Sequence, residues 1–273
     1  MEALAQRAQE ERGRRSWVDM LFEVADRDGE VAGGVIAGAL AYRLFIWLLP
    51  AGLVFVGGLG AVAGASSDTP KHIASQLGVG GIVSNSLESA SKSHSPWYAI
   101  IVGIPILLYA TRSVLRVLIG THRLAWGDVR GGRPKPTFVD AAKLLGILVL
   151  YIVLAGFAGW ARADSHVAGL VATLAVIAAF TGLWLWTSIR LPHRDAGWVD
   201  LLPGAVLVGV GVGLVQVVAA YLLGPYALQK QGTYGALGVA AALLLGLWVL
   251  GRLLVGGAEL NATLWERKGR AGR

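Results

Sequence analysis

Residues that could do chemistry are few and scattered in this 273-residue chain. There is no cysteine, which excludes disulfides, thiolate metal sites and cysteine nucleophiles. The histidines, at 72, 94, 122, 166 and 193, never form a His-Glu-x-x-His pair. No Gly-x-Ser-x-Gly elbow occurs, and the apolar stretches hold too few carboxylates for a metal nuclease. We therefore expect no enzyme activity, no cofactor and no metal site.

Two charged residues, one inside the first apolar stretch and one near the end of the last, are the strongest candidates for a functional role. Arg43 lies inside the first stretch, and a charge deep in a bilayer costs at least about 2.5–3.5 kcal/mol. Two interpretations of Arg43 stay open. Its side chain reaches the inner membrane surface while 44–63 spans alone, or it pairs inside the protein with a carboxylate. Glu259, near the end of the last apolar stretch, is the best candidate for that carboxylate.

Two prolines, Pro50 and Pro105, interrupt the first and second apolar stretches. Proline removes a backbone hydrogen bond and frees a carbonyl group, and broken helices of this kind build binding sites in transporters. The alternative is a kink that packing tolerates, which is common in membrane helices. Both interpretations stay open, and both prolines are candidate site residues.

The composition indicates which elements must position these residues. Hydrophobic residues make up 55% of the chain, charged residues only 15%, and the mean hydropathy is +0.60. Soluble proteins have roughly 25% charged residues, so much of this surface must face lipid. About 20 apolar residues cross the hydrocarbon core as a helix. The sequence predicts an all-α bundle of six transmembrane helices, at 35–63, 97–119, 141–161, 167–189, 201–223 and 234–257.

The distribution of Lys and Arg predicts the orientation. With both termini cytoplasmic, 18 of the 24 basic residues fall on the inner side and 4 on the outer side. This bias accounts for the net charge of +7 without nucleic acid as a partner. The predicted segments are an amphipathic cytoplasmic segment at 1–30, a transmembrane domain at 31–260 and a basic cytoplasmic tail at 261–273. Within the transmembrane domain, an outer loop at 64–96 carries a short helix.

Three passages resemble the YihY/BrkB family of bacterial inner-membrane proteins, formerly mislabelled ribonuclease BN. They are Ala39-Leu-Ala-Tyr42 with Leu48-Leu-Pro50, then Leu202-Pro-Gly-Ala205, and finally Tyr234-Gly-Ala-Leu-Gly238 with Gly257-Ala-Glu-Leu-Asn-Ala262. The resemblance implies a multi-pass protein of the inner membrane with a transporter-like role. It also implies that Tyr42, Pro50, Glu259 and Asn261 occupy recurrent positions. The chain departs from the family at Trp47, where many members carry a small or hydroxylated residue.

These observations lead to two hypotheses about function. The first is a transporter or permease for a small solute, an ion or a lipid. The second is an envelope scaffold that transports nothing, and a polar cavity open to one side would favour the first. The bilayer is the expected partner, and the small-residue spacing of Gly209, Gly211 and Gly213 predicts close helix packing and a candidate homo-oligomer interface.

Overall fold

The computed structural model describes residues 16–65, 96–128, 135–164, 166–218 and 224–271. Within these ranges the chain is helical and forms no strand. The helices are α1 (Ser16–Glu30), α2 (Gly33–Ala65), α3 (Pro96–Ala125), α4 (Phe138–Asp164), α5 (His166–Ser188), α6 (Trp198–Val218) and α7 (Gly224–Ala271). The all-α prediction is therefore confirmed, and each predicted span overlaps one of the helices α2 to α7. The predicted short helix of the outer loop and residues 219–223 of the fifth span lie outside the described residues.

Helices α2 to α7 form a closed ring. Each helix packs against the next along the chain, and α7 closes the ring by packing between α6 and α2. Buried aliphatic and aromatic side chains of all six helices meet at its centre and form the main core. The large outward-facing side chains are also apolar, for example Leu49, Ile101, Val153, Val171, Leu214 and Leu245. A soluble protein rarely exposes so continuous an apolar surface, so this belt indicates contact with lipid.

Four helical segments are long and apolar enough to cross a membrane. They are Gly33–Phe55, Ile100–Ala125, Trp198–Gln216 and Leu243–Arg270, which lie in α2, α3, α6 and α7. In α5 the described apolar segment, Thr173–Ser188, is shorter. The membrane character predicted from composition is thus supported for four helices of the ring.

Helix α7 is much longer than a span needs. Its 48 residues extend over roughly 70 Å at a rise of 1.5 Å per residue, whereas the hydrocarbon core is about 30 Å thick. The segment predicted as a basic tail is, as far as Ala271, the C-terminal part of this helix. Helix α1 packs along this part of α7 and only lightly against α2.

Candidate functional site

The centre of the ring contains a cavity of about 270 Å³. All six helices contribute to its wall, with Leu44 from α2, Val114 from α3, Leu144 from α4, Trp184 from α5, Val208 from α6 and Leu254 from α7. Almost the whole wall is apolar. A cavity of this kind stays dry, because water inside it would lack hydrogen-bond partners.

Polar groups of two residues in the cavity wall, Trp47 and Thr187, are bonded to the protein. The indole N–H of Trp47 donates to Thr111 Oγ1 at 2.8 Å, and that hydroxyl donates to the Leu107 carbonyl at 2.7 Å. The hydroxyl of Thr187 donates to the carbonyl of Leu183 at 2.8 Å. Trp47, the position where the chain departs from the family pattern, thus acts as a wall residue held by an interhelical hydrogen bond.

Two aromatic rings stack along one side of the cavity. The rings of Tyr151 on α4 and Phe180 on α5 lie nearly parallel, with their centroids 4.8 Å apart. The Tyr151 hydroxyl points to the Phe180 carbonyl at 3.5 Å, which is a long hydrogen bond. This pair ties α4 to α5 and leaves flat apolar surface facing the cavity.

Helices α6 and α7 cross in close contact beside the cavity. A Cβ atom built at Gly204 would collide with the Gly257 carbonyl oxygen, and one at Gly257 would stand 3.0 Å from the Gly204 oxygen. Asn261, which is 1% exposed, accepts the Gly204 N–H at 2.7 Å and donates to the Leu201 carbonyl at 3.0 Å. Pro203 lacks an N–H for the helical ladder, and Asn261 bonds backbone groups on either side of this proline, at Leu201 and Gly204. The crossing therefore explains why Leu202-Pro-Gly-Ala205 and Gly257-Ala-Glu-Leu-Asn-Ala262 occur in one chain.

A charged cluster lies near this crossing, where α1, α2 and α7 meet. Glu259 is 1% exposed, and its Oε1 has no hydrogen-bond donor among the described residues. A Cβ at Gly33 would stand 2.8 Å from this oxygen and closer still to Asp28 Oδ1. Arg252 donates to both oxygens of Asp28, at 2.6 and 3.1 Å. Two carboxyl groups and one guanidinium therefore share the site.

Ion pairs fasten the charged face of α1 to the end of α7. Arg27 pairs with Glu266 at 2.7 Å, Glu23 pairs with Arg270 at 3.1 Å, and Asp19 pairs with Arg267. Residues 16–30 of the predicted segment form helix α1, and the charged side of this helix faces protein. Leu21, a member of its apolar face, is 52% exposed.

Comparison with models of known protein families shows to which family the chain belongs. The family model described as virulence factor BrkB matches residues 26–273. The chain belongs to the BrkB family. Comparisons with curated proteins and with solved structures found no match. The family assignment, together with the four apolar segments, identifies a membrane protein and confirms the resemblance drawn from its motifs.

The predicted pair of Arg43 and Glu259 does not form in this BrkB-family protein. Arg43 and its neighbour Tyr42, which is 57% exposed, lie on the outer face of α2. Leu40 and Leu44, on the opposite side of that helix, face the core. Glu259 faces Asp28 and Arg252 instead. The helical period of α2 explains why the pair does not form. Arg43 lies on the side of α2 opposite the core-facing residues, so its side chain cannot also face the protein interior.

The other predicted site residues separate into two groups. Asn261 is buried at the α6–α7 crossing, within a few residues of Glu259. Pro50 is buried in α2, Pro105 is exposed on α3, and both helices continue past their prolines. Glu259 and Asn261 are thus both buried but contact different neighbours, whereas Tyr42, Arg43 and Pro105 lie on outward faces.

Sequence reasoning missed two members of the charged cluster and the cavity itself. Arg252, within the last apolar stretch, pairs with Asp28. Asp28 stands beyond the apolar stretches, where a charged residue draws no attention. One feature of the sequence could have pointed to Asp28. It lies only a few residues before Gly33, and this short spacing indicates a tight turn that ends at a glycine.

Proposed function

We propose that this BrkB-family protein is a permease-like protein of the bacterial inner membrane that handles a lipid or a similarly apolar molecule. In this proposal all six helices of the ring cross the bilayer, both termini are cytoplasmic, and the protein has no enzyme activity and no nucleic-acid partner. The observation that carries the proposal is the apolar cavity to which every helix of the ring contributes.

The character of the wall favours a lipid over an ion or a polar solute. An ion or polar molecule taken from water into apolar surroundings loses its hydrogen bonds at a cost of several kcal/mol. The hydroxyls of Thr111 and Thr187 already donate to backbone carbonyls of their own helices, and the Trp47 N–H is also engaged. An acyl chain needs no such partner and gains about 0.8 kcal/mol for each methylene removed from water.

The size of the cavity suits part of a lipid. A volume of 270 Å³ is on the order of nine times the roughly 30 Å³ that a water molecule occupies in the liquid. This is room for a short length of acyl chain, while the rest of the lipid stays between the helices or in the bilayer. The outward apolar belt brings every helix of the ring into contact with lipids.

The experiment is a lipid-transfer assay in vesicles. Purified protein is reconstituted into vesicles that contain a fluorescent phospholipid, and movement between leaflets is followed by chemical quenching from outside. Val212 lines the cavity, whereas Val210 on the same helix is 50% exposed on the outer face. Val212→Phe should reduce the transfer rate by filling the cavity, and Val210→Phe should leave it unchanged.

The proposal fails if protein-containing and empty vesicles transfer lipid equally over phospholipids of differing headgroup and chain length. That result would favour the alternative of an envelope scaffold without transport. Equal transfer by Val212→Phe and wild-type protein would show that lipid moves without using the cavity.

A further inference from the structure

Two carboxyl groups from different helices lie against the same backbone position. Glu259 comes from α7 and Asp28 from the end of α1, and an oxygen of each lies within 3 Å of the place where Gly33 would carry a Cβ atom. Gly33 begins α2, directly after the turn that follows α1. Any larger residue there would separate the two carboxyl groups.

The charges around this pair do not balance if both carboxyl groups are ionised. Arg252 binds both oxygens of Asp28. Arg27, on α1, is the other cation near the pair; it pairs with Glu266 at 2.7 Å and donates to the Thr263 hydroxyl at 3.2 Å, and Glu266 also lies 3.7 Å from Arg194. Helix α2 contributes the backbone of Gly33. Among the described residues, Arg252 is therefore the guanidinium hydrogen-bonded to this pair, and Arg27 acts on Glu259 only through space.

Glu259 is the carboxyl group of the pair that has an oxygen without a hydrogen-bond donor. Its side chain is 1% exposed, and its Oε1 finds no hydrogen-bond donor in the part of the chain that the structure describes. Ionisation of a carboxyl group is disfavoured when one of its oxygens is buried without a donor, and such a group binds a proton more readily. A protonated Glu259 would itself be a donor, and the Asp28 carboxylate beside it is the acceptor.

We propose that Asp28 and Glu259 form a proton-binding site in which the two carboxyl groups hold one proton between them. The proton comes from water and forms an O–H bond on one carboxyl group, which donates to the other. With Arg252 the group is then neutral. The side chain of Asp28 is 26% exposed, which gives the proton a route to solvent. This site goes beyond the proposed lipid handling and does not depend on it.

Infrared spectroscopy of the full-length protein in nanodiscs tests the site directly. A protonated carboxyl group has a C=O stretching band separate from that of carboxylates. Wild-type protein should show this band at neutral pH, and both Glu259→Gln and Asp28→Asn should lose it. Glu266→Gln is the matched control on the same helix and should keep it. The inference is overturned if wild-type protein lacks the band, or if both cluster variants retain it.

The unfolding of wild-type protein gives a second measurement that needs no variant to fold. The folded protein holds a proton that the unfolded chain releases, so stability should fall as the pH rises through neutrality. The unfolding constant should rise by up to tenfold per pH unit. A stability that stays constant or rises between about pH 7 and 8, where histidines of the unfolded chain are mostly neutral, would contradict the proposal.

A monovalent cation is the competing ligand, and exchange of the buffer cation distinguishes it. A proton site should give the same band in sodium, potassium and choline buffers at one pH. Loss of the band in sodium or potassium alone would show that a metal cation occupies the site, and it would overturn the assignment to a proton. None of these readouts involves lipid transfer, so failure of the transport assay leaves this test intact.

Discussion

Substitution of Gly204 by alanine should separate packing from helix propensity at the α6–α7 crossing. In an open helix position this change stabilises by up to about 1 kcal/mol. At Gly204 the new methyl group would collide with the Gly257 carbonyl and stand 2.6 Å from the Asn261 amide nitrogen. Overpacking costs roughly 1–3 kcal/mol, and displacing Asn261 from the Gly204 N–H costs about 1 kcal/mol more. We expect a net loss of about 2 kcal/mol.

The matched control is Gly256→Ala. Gly256 lies on α7 beside the crossing, and a Cβ atom there meets nothing within 4 Å. This variant should be as stable as wild type or more stable by up to about 1 kcal/mol.

Both variants can be measured by SDS-induced unfolding in mixed micelles, with helicity followed by circular dichroism. A Gly204→Ala protein as stable as the Gly256→Ala protein would refute the close crossing. Loss of stability in both variants would instead show that alanine is harmful near the crossing for a reason other than this collision.

Three further substitutions probe the surroundings of the crossing. Asn261→Leu leaves the buried Gly204 N–H without its acceptor and should lower the free energy of unfolding by about 1–3 kcal/mol in the same SDS titration, and an unchanged value would contradict the hydrogen bonds. Arg252→Gln removes the ion pair with Asp28 and should speed hydrogen exchange in α1. The free energy of unfolding should fall by only about 1 kcal/mol, because the pair is partly exposed. Unchanged exchange would show that the pair does not stabilise the position of α1. Ala32→Gly relieves a left-handed residue with φ of 53° in the turn before α2 and should stabilise by about 0.5 kcal/mol, whereas a loss of stability would show that the turn is unstrained.

Much of the fold could be predicted because the period and the length of the apolar stretches indicate where the helices lie. Each predicted span overlaps a helix of the ring, and Asp200 lies in the first turn of α6, where an acidic residue is favourable. The true ends of α7 could not be predicted. Its C-terminal part is charged and lies beyond the predicted span, and ion pairs with α1 stabilise it as a helix.

The candidate site could be predicted only in part. Glu259 and Asn261 stand out in the sequence because polar residues follow a long apolar run, and both prove to be buried at contacts between helices. Their partners could not be found in this way. Arg43 looked like the partner of Glu259 because both are charged at comparable depth, yet depth says nothing about which side of a helix a residue faces.

The sequence alone determined that this chain is helical and suited to lipid, because composition and helical period depend on residues close together in the chain. It also determined the family, because the order of short motifs is a property of the sequence. Only the tertiary structure decided that the centre of the ring is an apolar cavity and that Glu259 faces Asp28. Both depend on how each helix is rotated about its axis, and that rotation is set by packing against neighbours distant in the chain. At Gly33 and Gly204 the absence of a side chain allows those neighbours to approach.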